Sequence, residues 1–127
     1  MSLRLATLLT TALCVTACSG SGSNYNSAPS PTPTPAPPGS TSVTIPSGAS
    51  TQTTTAFGPN PLTVSAGTTI SWLNSDGTTH RPLADANQWD AGNIAPGTRS
   101  NLTFSTTGRF PYHCQIHPNM TGTIVVQ

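Results

Sequence analysis

Apolar residues in this chain come in short clusters, with no helical rows. Val43-Thr44-Ile45, Leu62-Thr63-Val64, Thr69-Ile70-Ser71-Trp72-Leu73, Leu102-Thr103-Phe104, Phe110-Pro111-Tyr112-His113-Cys114 and Thr123-Ile124-Val125-Val126 are rich in β-branched and aromatic residues, and Gly, Pro, Asn and Asp separate them. Each has the length and composition of a strand. Alternation with period two puts Leu62/Val64, Ile70/Trp72, Leu102/Phe104 and Phe110/Tyr112/Cys114 each on one side of its strand. No longer stretch repeats at helical spacing. Short strands so distributed predict an all-β domain, a two-sheet Greek-key β-sandwich whose facing apolar rows form the core.

The pattern changes before the first strand. Arg4 precedes an apolar run from Leu5 to Val15, too short to span a bilayer as a stable helix and shaped like a signal peptide. Its end, Val15-Thr16-Ala17-Cys18, resembles the bacterial lipobox, in which small residues precede a cysteine that is lipidated and becomes the mature N-terminus. The expected organisation is a signal peptide over residues 1–17, a lipidated Cys18 and Pro/Ser/Thr-rich linker over 18–41, and one globular domain over 42–127. Alternating prolines from Pro29 to Pro38 favour an extended polyproline II spacer of about 3.1 Å per residue. Ser19 after Cys18 points, by the sorting rule that goes with the lipobox, to the outer membrane of a two-membrane cell. The protein is thus expected in the bacterial cell envelope, held to a membrane by the lipid on Cys18.

Composition narrows the partners. Charged residues make up 6% of the 127 residues, against roughly 25% in an average soluble protein. There is no Lys or Glu; the charges are Arg4, Arg81, Arg99, Arg109, Asp76, Asp85 and Asp90. Such a chain offers no polyanion-binding patch, which excludes nucleic acid as a partner, and little electrostatic steering. A docking surface would be apolar or polar-neutral.

Chemistry is concentrated in Tyr112-His113-Cys114-Gln115-Ile116-His117-Pro118-Asn119-Met120. A thiol, an imidazole three residues later and a thioether three residues after that form a donor set for a soft or borderline metal. The set is too compact for a zinc finger or ribbon, which needs paired cysteines or histidines. Two His and one Cys in a trigonal plane with a weak axial Met make a blue-copper site. The second histidine must come from elsewhere, and the chain has only His80 and His113 besides His117. His113 neighbours Cys114 on a strand, so their side chains point to opposite faces. His80 follows the strand ending at Leu73 and a turn-like Asn74-Ser75-Asp76-Gly77, from which a loop could present it.

The chain resembles the cupredoxins, particularly the small plastocyanin-, amicyanin- and pseudoazurin-like members. The likeness runs through Phe57 to Gly67, Ile70 to Asn74 with Asp76 and His80, Trp89 to Gly97, and Gly108 to Cys114, in the family's order. It implies one type 1 copper ion with His80, Cys114 and His117 as equatorial ligands and Met120 as axial ligand. It also implies that His117 lies near the surface, ringed by Pro118, Pro82 and Leu83 as the face that docks a partner. Asn74 is expected to support the site by hydrogen bonds that tie the His80 loop to the ligand loop, because such outer contacts orient ligands and tune potential. Arg81 departs from the family, where a smaller or polar residue is common, and could place a positive charge near the site.

The function so implied is a type 1 copper electron-transfer protein, not an enzyme, expected as a monomer that shuttles one electron between redox partner proteins of the envelope. Two other functions use similar ligands. An envelope copper-binding or delivery protein would exchange the ion readily, and extra Met or His clusters would favour it; the chain has only Met1 and Met120. A copper enzyme of the nitrite reductase kind would use His113 beside Cys114 to bridge to a second copper, but further histidines for that copper are missing.

Overall fold

A computed structural model of the protein describes residues 41–127. The expected signal peptide, the lipidation site Cys18 and the linker up to residue 40 lie outside the described residues, and Thr41, expected as the linker's last residue, instead opens the first strand. Seven strands follow one another: β1 (Thr41–Ile45), β2 (Leu62–Val64), β3 (Thr68–Asn74), β4 (Pro82–Ala84), β5 (Arg99–Phe104), β6 (Gly108–Cys114) and β7 (Thr121–Val126), with one 3-10 turn at Ala49–Thr51. They form the predicted two-sheet sandwich. One sheet has the order β1-β3-β5 and the other β2-β7-β6-β4.

Both sheets are mixed. β1 runs parallel to β3 and β2 parallel to β7, while β3–β5, β4–β6 and β6–β7 are antiparallel. The parallel pairs join strands that are far apart in the chain, so no hairpin turn marks them in the sequence. β4 was not expected: it has three residues, opens on a proline and lies at a sheet edge. Short edge strands leave few unpaired backbone groups to recruit another chain, and Pro is tolerated there.

The alternating rows meet in one core. Val43, Ile45, Ile70, Trp72 and Phe104 come from the three-stranded sheet, and Leu62, Val64, Tyr112, Cys114, Ile124 and Val126 from the other. Trp72 and Tyr112 meet edge to face with centroids 6.1 Å apart, and Trp89 packs on both, at 5.5 and 5.3 Å. Burying each such side chain contributes about 1.5–3 kcal/mol or more. Ser71 breaks the alternation, being buried although it points away from Ile70 and Trp72. On that side the Arg99 Nη1 lies 3.5 Å from the Ser71 hydroxyl. Two residues on from Tyr112, the alternation delivers Cys114 to the inner face at the end of β6, where the core opens onto the loops that carry the chemistry.

Candidate metal centre

Three loops meet at this end of the sandwich. The first leaves β3 at Asn74 and turns on the Asp76 carboxylate, which accepts hydrogen bonds from the backbone N–H of Gly48 and Gly77, at 2.9 and 2.8 Å, and from the Thr78 hydroxyl at 3.2 Å. Burial opposes ionisation of Asp76, but these donors and the imidazole of His80 outweigh it and hold the carboxyl well below the usual range. His80 itself is fully buried. Its backbone exchanges two hydrogen bonds with Ile94, N to O at 3.1 Å and O to N at 2.8 Å, which fixes the residue between the first loop and the second, around Ile94.

The third loop joins β6 to β7 in two consecutive tight turns. His117 N donates to Cys114 O at 3.2 Å, and Met120 N donates to His117 O at 3.0 Å. Cys114 N then closes the loop on Met120 O at 3.0 Å. This winding turns Cys114 and Met120 inward, both fully buried, and leaves His117 half-buried at the surface.

The donor atoms converge. Cys114 Sγ lies 3.7 Å from His80 Nδ1 and 3.7 Å from His117 Nδ1, and the three atoms all lie within 4.8 Å of one another. Metal–sulfur and metal–nitrogen bonds of about 2.3 and 2.0 Å, spread at 120°, would separate S from N by about 3.7 Å. The donor set therefore fits a metal ion in a trigonal plane, with Met120 the buried thioether of the same loop. Cys114 is the free thiol among the described residues. Its sulfur also receives the Arg81 backbone N–H at 3.4 Å.

His113 stays apart from this group. It faces outward, with Nδ1 2.6 Å from the exposed Asp85 carboxylate, as strand alternation requires. Two expectations need correction. Asn74 does not reach the ligand loop. Its side-chain amide donates to Thr78 O and Ile94 O, at 2.7 and 2.8 Å, and its oxygen accepts from Asp76 N at 2.9 Å. It therefore locks the first loop to the second. The contact between the His80 strand and the ligand loop runs through the backbone of Arg81, which bonds Cys114 Sγ on one side and receives Gln115 N at 2.9 Å on the other. Pro82 is not part of a docking rim: β4 pairs it with Cys114, and it is fully buried. Leu83 is half-buried opposite His113 on the outer face. The apolar residue at the surface is one that the sequence analysis passed over, Ile116, 48% exposed between Cys114 and His117. Pro118 is exposed beside it.

Two predictions arise from this framework. Replacing Asn74 by Ala leaves the Thr78 carbonyl and the Asp76 N–H without partners, with Ile94 O keeping the His80 N–H alone, and should cost about 2 kcal/mol in urea unfolding of the metal-free protein. The second concerns Arg81, whose charge does not stand free at the site. Its guanidinium forks onto Asp90, with Nε 3.2 and 3.1 Å from the two carboxylate oxygens. Hydrogen bonding from Arg81 holds the Asp90 carboxyl below its ordinary value, against the opposing effect of burial. A depressed carboxylate stabilises the fold fully above its unfolded pKa, near 4, and ceases to do so as pH falls through the lower folded value. Thermal melts of R81Q should accordingly fall slightly below those of the parent above about pH 4 and merge with them in stronger acid.

Comparison with known proteins agrees with this geometry. A family model described as "Cupredoxin-like domain" matches residues 34–126. The chain belongs to the cupredoxins. It is similar to the plastocyanin of Scenedesmus fuscus, 32% identical over an alignment of 84 residues, with 56% of this chain and 86% of that protein covered. Among solved structures it is similar to a purple cupredoxin from Nitrosopumilus maritimus, with TM-score 0.62 and 27% identity over 68% of this chain and 98% of that one. An amicyanin variant in its oxidised state gives TM-score 0.61 and 26% identity, covering 78% of this chain and 95% of that one. In this cupredoxin, one thiolate, two imidazoles and a thioether suit one type 1 copper ion better than any hard cation.

Proposed function

We propose that this cupredoxin carries single electrons on one copper ion held by His80, Cys114, His117 and Met120, between partner proteins of a bacterial cell envelope to which Cys18 anchors it. The observation that carries the proposal is the convergence of His80 Nδ1 and His117 Nδ1 on Cys114 Sγ, each 3.7 Å from the sulfur and all within 4.8 Å of one another, on a scaffold that closes each loop with backbone hydrogen bonds. The copper would supply the one-electron change between Cu(I) and Cu(II).

The chain supplies everything else. Burial of His80 and Cys114 keeps water from the donor atoms, and the Ile94 and Arg81 backbone contacts keep them in place. A donor set that cannot move favours fast transfer, because little rearranges between the two charge states. His117 is the donor residue that is half exposed, and Ile116 and Pro118 flank it. A partner would approach there, on an apolar face, with association that depends little on ionic strength. The similarity to plastocyanin and amicyanin supports the electron-carrier function.

The test is to load the protein with copper and measure two rates. An electron carrier shows an intense visible band, a reversible one-electron wave and fast electron self-exchange by NMR line broadening, and it retains its copper against a competing chelator. Rapid loss of copper to the chelator with slow self-exchange would replace carriage by delivery. Incorporation of labelled fatty acid in cells, absent in a Cys18→Ser variant, checks the anchor.

A further inference from the structure

The chain contains three acidic side chains. Asp85 and Asp90 lie at the surface on His113 and Arg81, with the Asp85 side chain 51% and the Asp90 side chain 33% exposed. Asp76, at 8%, is the buried one, and it lies against the imidazole face that the donor cluster does not use. His80 turns Nδ1 to the Cys114 sulfur at 3.7 Å and Nε2 to Asp76 Oδ2 at 2.9 Å. The Thr78 hydroxyl, 3.3 Å from Nε2, bonds the same carboxylate oxygen.

The turn alone does not call for a carboxylate. Gly48 N and Gly77 N both donate to Oδ1, and the oxygen of an asparagine could accept both bonds without placing a charge in the interior, which is costly unless paired. What the second carboxylate oxygen adds is an acceptor for the one proton of a buried imidazole. An amide would present an N–H₂ donor to that N–H and leave it only the longer contact to the Thr78 hydroxyl, at 3.3 Å. An acceptor at Nε2 fixes the tautomer, so the Nδ1 lone pair faces Cys114, and a charged acceptor makes the ring a stronger donor at Nδ1.

We infer that Asp76 is a positioning residue for the metal centre, holding His80 as its Nε2–H tautomer and enriching Nδ1 so that the oxidised, more highly charged state of the site is favoured. The inference rests on the proposed copper site. It adds that the midpoint potential of this cupredoxin is set low by a carboxylate–imidazole pair built into the β3–β4 loop. The two nearest donors to that carboxylate other than His80, the Gly48 and Gly77 amides, are backbone groups, so their contribution is unchanged by side-chain substitution.

The experiment compares the copper-loaded full chain with D76N and T78V. Voltammetry of D76N should show the potential raised so that the ratio of reduced to oxidised protein at a fixed applied potential grows at least tenfold, which is about 59 mV for one electron. T78V, which keeps the carboxylate but loses one hydroxyl on it, should shift far less. In the copper-free parent, two-bond proton–nitrogen NMR should find His80 as the Nε2–H tautomer, with a slowly exchanging, strongly deshielded ring proton. This last measurement does not depend on D76N folding. A parent without the visible band overturns the copper site and the inference together. A blue parent whose D76N variant keeps its potential, or whose T78V shifts as far as D76N, overturns the inference and leaves the copper site standing. So does a His80 protonated at Nδ1.

Discussion

Replacing Cys114 by Ser is expected to abolish the intense visible absorption of the copper-loaded protein completely, while the copper-free variant remains folded. The band arises from charge transfer between a thiolate and Cu(II), and Cys114 offers the thiol that meets both imidazoles, at 3.7 Å each. A serine hydroxyl is a harder donor, stays protonated at neutral pH and suits the ion poorly. The fold should survive because the substitution removes little volume, and the smaller Oγ can still accept the Arg81 N–H that now points at sulfur. Absorption and EPR spectra of parent and variant, each at one equivalent of Cu(II), decide the matter. The parent should show a narrow copper hyperfine splitting, and the variant the wide splitting of ordinary nitrogen and oxygen ligation. An intense band that persists in the variant would mean that the sulfur ligand is not Cys114. Copper-free unfolding curves run in parallel separate a lost ligand from a lost fold.

That the ligands could be read at all from one sequence has a physical cause. Cys114, His117 and Met120 belong to one loop, so their spacing is printed in the chain, and strand alternation eliminates His113 by sending it to the face opposite Cys114. His80 then follows by subtraction. The strands that were legible are those with an alternating apolar row of their own, such as Phe110/Tyr112/Cys114. β4 has no such row, and the error over Pro82 follows directly: without a strand at that place, Pro82 looks like a loop residue beside His80, whereas its pairing with Cys114 turns it inward. The partners of Asn74 were illegible for a different reason. They are backbone carbonyls of Thr78 and Ile94, and a carbonyl leaves no mark in a sequence. Ile116 carried a signal that could have been used, an aliphatic residue in a tight loop between two candidate ligands, where no strand row claims it. The parallel pairings β1–β3 and β2–β7 depend on which sheet edge lies free after the antiparallel strands have met, a property of the assembled sandwich.

The second large effect is predicted where sheet register and ligand loop meet. Gly122→Ala should destabilise the copper-free protein by about 3 kcal/mol or more, at the upper end of what overpacking costs. In the β6–β7 ladder Gly122 stands directly opposite Tyr112, and the tyrosine ring lies across the glycine. A Cβ there would come within 2.6 Å of Tyr112 Cε1 and Oη, and closer still to Cζ. The ring has no room to retreat, being packed between Phe57 at 4.8 Å and Trp89 at 5.3 Å, with Trp72 at 6.1 Å. Relief must therefore come from the backbone, by prising β7 from β6. The next ladder position is His113 against Thr121, and beyond it the Cys114 N to Met120 O bond that closes the ligand loop. Strain at Gly122 is thus expected to lower the unfolding midpoint in urea without changing its slope, and to weaken copper retention against a chelator in the same variant. Pairing it with Tyr112→Leu, which removes the obstructing ring at its own cost, should recover part of the loss, and the coupling in that double-mutant cycle measures the clash itself. A Gly122→Ala variant within about 0.5 kcal/mol of the parent would show that the ring can swing aside, and that the aromatic core is looser than its spacing requires.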